Sequence, residues 1–198
     1  MDAATVSLPP TLQLSLNLTD EQFFQLCIDN RDLQFERTAS GEIIIMPPTG
    51  GETSNRNSEL TYQLQAWSRQ NKLGKAFDSN GGFTLPNGAV RAPDASWLKL
   101  ERWEALTPQQ REKFLPLCPD FMVELLSPTD SLKQTQLKMQ EYIENGARLG
   151  WLIDVKNRRV EIYRPSQDVE LLSKPVTLRG EDVLPGFVLD MTQILSPD

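Results

Sequence analysis

Apolar and polar positions along this chain repeat with two different periods, and the switches between them outline its elements. Thr19-Asp20-Glu21-Gln22 has the spacing of a capping box and predicts a helix to about residue 30. Residues 33–37 and 42–46 read as two strands joined by the Ala39-Ser40-Gly41 turn. Pro47-Pro48-Thr49-Gly50-Gly51 breaks that pattern. A long helix follows over roughly residues 52–72, with Leu60, Leu64 and Trp67 on one buried stripe. Strands are predicted near residues 75–79, 82–85 and 95–98, with Pro86-Asn87-Gly88 as the intervening turn. The charged stretch 100–113, which contains Thr107-Pro108, reads as one or two surface helices.

Residues 121–126 form a nearly continuous apolar run, as expected of a strand in a sheet centre. Ser127-Pro128-Thr129-Asp130 ends it and leads into a helix over 131–145, which Gly146 stops at the C′ position. Residues 148–155 and 159–163 predict a hairpin turning at Lys156-Asn157, and short strands and turns follow, broken at Leu184-Pro185-Gly186-Phe187. Residues 1–18 lack clear periodicity and read as an arm. This order predicts a single α+β or α/β domain over residues 1–198, with a central mixed sheet.

Two acids interrupt the pattern. Asp94 lies in Arg91-Ala92-Pro93-Asp94-Ala95-Ser96-Trp97-Leu98, and Glu124 lies inside Phe121-Met122-Val123-Glu124-Leu125-Leu126. A carboxylate among residues that favour burial is costly unless it meets a cation or a proton. Along a strand, Asp120, Met122, Glu124 and Leu126 share one face, while Phe121, Val123 and Leu125 share the other. If the strand after Asp94 is a neighbour, both acids converge on one point, where a divalent ion would fit. On the following helix Leu132, Met139 and Ile143 form the predicted apolar stripe, and Lys138 flanks it with Tyr142 one turn on. Lys133 is on the opposite flank. Each residue also has a purely structural reading. Asp94 would cap a turn, Glu124 would pair with a partner such as Arg91, and Lys138 would be a solvated helix lysine. Asp120, on the face of Glu124, reads as the start of the strand.

Composition narrows the chemistry. The chain of 198 residues has no histidine and two isolated cysteines, Cys27 and Cys118. Histidine-based nucleophilic catalysis and histidine- or thiolate-ligated zinc are excluded. Any metal must be held by oxygen, which favours Mg²⁺, Mn²⁺ or Ca²⁺. No apolar stretch reaches the ~20 residues of a membrane helix, and the N-terminus has no basic segment of a secretory signal. The expectation is a cytoplasmic protein with reduced thiols. The net charge of −7 argues against a nucleic-acid partner, but its distribution does not. Residues 1–50 carry net −5 and residues 165–198 net −4, which leaves the segment with both acids at net +2.

The order Pro93-Asp94, Glu124-Leu125-Leu126 and a helix with Lys138 resembles the PD-(D/E)XK nuclease superfamily, whose fold is that of restriction endonucleases. More narrowly the chain resembles a large bacterial family of restriction-endonuclease-like proteins. Pro48-Thr49-Gly50-Gly51-Glu52, Pro93-Asp94-Ala95-Ser96-Trp97, Glu124-Leu125-Leu126-Ser127-Pro128, Glu141-Tyr142, Gly150-Trp151-Leu152-Ile153-Asp154 and Leu184-Pro185-Gly186-Phe187 carry that resemblance over essentially the whole chain. It implies a restriction-endonuclease-like core with helices on the sheet and extra N- and C-terminal strands. It further implies a Mg²⁺- or Mn²⁺-dependent endonuclease acting on DNA as a homodimer, with Asp94 and Glu124 as metal ligands. The superfamily places its lysine two residues after the second acid, and here that position is Leu126. The resemblance therefore implies that Lys138 takes over from the next helix. Some members add an acid from the first long helix, for which Glu52 and Glu59 are the candidates. The alternative is a non-catalytic binding module on a degenerate nuclease fold.

Overall fold

The computed structural model describes residues 12–128 and 130–195. Most of the predicted N-terminal arm, and Thr129 of the predicted turn, lie outside the described residues. In chain order the elements are β1 (Leu12–Ser15), α1 (Asp20–Asp29), β2 (Gln34–Arg37), β3 (Glu42–Met46), α2 (Gly51–Asn71), β4 (Gly74–Asp78), β5 (Phe83–Thr84), β6 (Val90–Arg91) and β7 (Ala95–Lys99). There follow α3 (Leu100–Glu104), α4 (Pro108–Arg111), β8 (Phe121–Leu126), α5 (Leu132–Glu144), β9 (Leu149–Asp154) and β10 (Arg159–Tyr163). The chain closes with β11 (Glu170–Ser173), β12 (Thr177–Arg179), β13 (Val188–Asp190) and α6 (Thr192–Leu195).

The expected mixed central sheet is present. It has six strands in the order β11-β10-β9-β8-β7-β4. Only β8 and β9 run parallel, because α5 carries the chain from the end of one to the start of the other. Val123 on β8 pairs with Ala95 on the antiparallel β7. The capping box at Thr19 forms as predicted and opens α1, and Gly146 follows α5 with φ +106°. Strand β6 was not predicted: Val90–Arg91 is too short for a period to register.

Helices cover both faces of the sheet. On one face Leu60 and Leu64 of α2 pack with Trp97, Phe121, Val123, Leu125, Trp151 and the C-terminal elements in one hydrophobic core. On the other, Met139 and Tyr142 of α5 pack with Leu98, Met122 and Leu152. Gly150 on β9 lets α5 approach closely, since a Cβ there would stand 2.6 Å from Met139 Cε and 2.7 Å from Met122 Sδ. The predicted stripe holds at Met139, which is fully buried, and at Ile143, which packs against the same core, but Leu132 is exposed and Tyr142 joins the buried face instead. A second sheet, β1-β3-β2-β6-β5, is built mainly from the N-terminal third and joins the first through the β6–β7 segment. Among the described residues no helix is long and apolar enough to cross a membrane.

Candidate active site

The β7–β8 register sets Asp94, one residue before β7, opposite Glu124. The face assignment made from the sequence holds: Phe121, Val123 and Leu125 enter the apolar core under α2, and Glu124 points to the α5 side with Met122. Asp94 bridges two neighbours. Its Oδ2 accepts from the Leu125 N–H at 2.7 Å, and its Oδ1 accepts from Asn57 Nδ2 at 2.7 Å. Burial raises the Asp94 carboxyl above its ordinary value against the opposing influence of the Leu125 N–H and Lys138.

Glu124 is 7% exposed, and two donors from α5 converge on its Oε1. Lys138 Nζ is 2.8 Å away and Tyr142 Oη donates at 3.0 Å. Lys138 and Tyr142 are one helical turn apart, so a single face of α5 supplies both. Burial pushes the Glu124 carboxyl up to about 7, Lys138 pulls it back, and the Asp94 and Glu36 charges add to the rise. Burial acts against the Lys138 ammonium, yet the adjoining Glu124 and Glu36 carboxylates outweigh it and hold the amine protonated well above its ordinary range.

The lysine is shared. Glu36 on β2, 2% exposed, places Oε1 2.7 Å from Lys138 Nζ. The same oxygen accepts from the Ala92 N–H at 3.0 Å, and Oε2 is 3.0 Å from Arg91 Nη1. Arg91 Nε in turn donates to Glu141 Oε2 at 2.6 Å. Burial alone would raise Glu36, but Lys138 and Arg91 prevail and hold it below its ordinary value. The result is a row of alternating charge, Glu141–Arg91–Glu36–Lys138–Glu124. With all its members ionised the row carries one surplus negative charge, and Asp94 adjoins it with a second. Two negative charges gathered at a half-buried point match one divalent cation.

Not every residue anticipated from the sequence is brought here. Arg91 serves Glu36 and Glu141, so the partner expected for Glu124 is replaced by Lys138 and Tyr142. From α2 it is Asn57 that meets Asp94. Glu52 is exposed and paired with Arg56 at 3.1 Å, and Glu59 accepts from Gln63 at 2.9 Å. Lys133 is exposed. Glu36 escaped sequence reading because Gln34-Phe35-Glu36-Arg37 looks like a solvated strand end. The adjacent opposite charges at Glu36 and Arg37, both buried, were its one signal.

The donor set fits a hard, oxygen-seeking cation. Asp94 and Glu124 offer carboxylate oxygens, and the buried Oδ1 of Asn57, beside Asp94, has no hydrogen-bond partner among the described residues. Among those residues no group of three or more His, Cys, Asp and Glu is gathered to hold a metal. The protein's share would be two carboxylates with water completing the shell, which is the habit of Mg²⁺.

Comparison with known proteins agrees with this fold. The chain is similar in structure to a crystal structure of "a putative nuclease belonging to DUF820 from Anabaena variabilis ATCC 29413". The TM-score is 0.74 at 22% sequence identity, over 90% of this chain and 98% of that one. No curated protein matches the chain. The model of the Uma2 family, described as "Putative restriction endonuclease", matches residues 20–192, and the chain belongs to that family.

Proposed function

We propose that the protein is a Mg²⁺- or Mn²⁺-dependent endonuclease that hydrolyses DNA phosphodiester bonds in the cytoplasm, working as a single-domain protomer of a homodimer. The observation that supports it most is the meeting of Lys138 Nζ with Glu124 Oε1 at 2.8 Å, at the strand position opposite Asp94. This restores an acid–acid–lysine constellation although Leu126 occupies the usual seat of the lysine. Asp94 and Glu124 would hold the cation, with Glu52 and Glu59 outside that set. When bound, a divalent ion acidifies water and neutralises charge on the phosphate. Lys138 remains an ammonium, so its role is to orient the attacking water and offset charge growing on the phosphoryl oxygens. Tyr142 keeps its proton and fixes the Glu124 rotamer, since burial and the Glu124 charge raise its phenol well above the ordinary value. Two protomers related by a two-fold axis would cut both strands.

The test is cleavage of plasmid DNA with Mg²⁺ or Mn²⁺ by the wild type and by Asp94→Ala, Glu124→Ala and Lys138→Ala. Cleavage by the wild type alone is expected, and equal cleavage by all four would refute the reading. The sparse ligand set favours a second reading, a DNA- or protein-binding module on a degenerate nuclease fold. A folded protein that takes up no divalent ion in calorimetry would support that module instead.

A further inference from the structure

Glu36 comes from the second sheet, yet its carboxylate reaches the centre of the candidate site. Three donors meet it: Lys138 Nζ, Arg91 Nη1 and the Ala92 N–H. Ala92 lies two residues before Asp94, so one side chain fixes both the segment that delivers Asp94 and the ammonium that serves Glu124. Lys138 stands 2.7 Å from Glu36 and 2.8 Å from Glu124, an almost equal division. A lysine paired with Glu124 alone would neutralise the very carboxylate that a cation needs. A lysine divided between two acids leaves Glu124 part of its charge. Arg91 balances Glu36, and Glu141 on α5 balances Arg91, so Glu36 stays ionised in spite of its burial.

We infer that Glu36 is a positioning residue for the metal site: it draws Lys138 partly away from Glu124, and this keeps Glu124 available to a divalent cation. The second sheet thereby becomes a working part of the site. The inference rests on the divalent-ion reading above and concerns a residue that would not touch the ion.

A double-mutant cycle in calorimetric Mn²⁺ binding tests it on the full chain. Glu36→Gln keeps the shape and an acceptor for the Ala92 N–H but removes the charge. It should weaken Mn²⁺ binding by about tenfold, as second-layer changes around metals do. In a Lys138→Met background the same change should weaken binding by about twofold or less, because the lysine through which Glu36 acts is gone. An equal loss in both backgrounds would show a mere distant charge and overturn the inference. So would no loss in the wild-type background. Glu36→Asp keeps the charge but shortens its reach. It should show an intermediate loss that also shrinks with Lys138→Met, which preserves the test if Glu36→Gln does not fold. A wild type that binds no Mn²⁺ would overturn the divalent-ion reading itself, and the role of Glu36 with it.

Discussion

Asp120, one residue before β8, and Glu124 within it are both buried acids, and their surroundings differ in kind. Asp120, 4% exposed, spends its carboxylate on local structure. Oδ2 accepts from the Lys99 N–H at 2.8 Å and Oδ1 from Arg102 Nη1 at 2.9 Å, which fastens the β7–α3 junction to the start of β8. Its carbonyl accepts from the Arg148 N–H at 2.8 Å, where the chain turns into β9. Among the described residues Glu124 meets no such backbone donor. Its partners are a lysine it must share and a tyrosine, and burial lifts its carboxyl to about 7. One acid is satisfied and holds the sheet together. The other is left with charge that a cation can use. A buried carboxylate alone is therefore not a functional signal; the nature of its donors is.

The largest effects should separate these two acids. Glu124→Ala is expected to lower divalent-dependent DNA cleavage by at least about 10³-fold and to abolish Mn²⁺ binding, besides destabilising the fold by leaving the buried Tyr142 hydroxyl unpaired. Asp120→Ala should lower stability alone. Loss of a buried charge's partners costs about 2–3 kcal/mol, seen as a fall of roughly 4–12 °C in Tm, with Mn²⁺ affinity unchanged. Next in size is Lys138→Met, which should slow cleavage by about 10²-fold while tightening Mn²⁺ binding, since the competing ammonium is removed.

A pH comparison sharpens the contrast further. The folded Glu124 carboxyl lies above its unfolded value of 4.5, so the native state binds the extra proton between those limits. The stability contributed by this group is therefore present at pH 4.5 and is lost as pH rises through about 7. Glu124→Gln removes the penalty, by at most about 3 kcal/mol. Its Tm relative to wild type should be several degrees more favourable at pH 8 than at pH 5, with divalent ions chelated. A constant difference across that range would contradict the account. Mn²⁺ binding to the wild type should also weaken below pH 7 as the site proton competes. The smallest effect expected is for Glu52→Ala, which breaks an exposed pair with Arg56. It should change stability by less than about 0.5 kcal/mol and leave Mn²⁺ affinity as it was.

Much of this site can be read from residues alone, and the limits have physical causes. The period of two along Phe121–Leu126 assigns Glu124 to its face, because a strand without Gly or Pro has one register for its side chains. The helix after it and its Gly146 stop are equally local. Which acid Lys138 meets is not local. It depends on the parallel return of β9 and on the close approach that Gly150 permits, which bury Tyr142 together with the expected Met139 and leave Leu132 exposed. Glu36 and Asn57 are harder still, since their partners lie far along the chain and in other elements. No period marks a side chain whose purpose is a contact between sheets.

The central claim is that Asp94 and Glu124 together hold a divalent ion while Asp120 does not. A crystal soaked in Mn²⁺ above pH 7, read by anomalous scattering, tests this most directly. The account predicts a peak between the Asp94 and Glu124 carboxylates, with Lys138 still in contact with Glu36. An ordered site with no peak, or a peak at Asp120 instead, would contradict it.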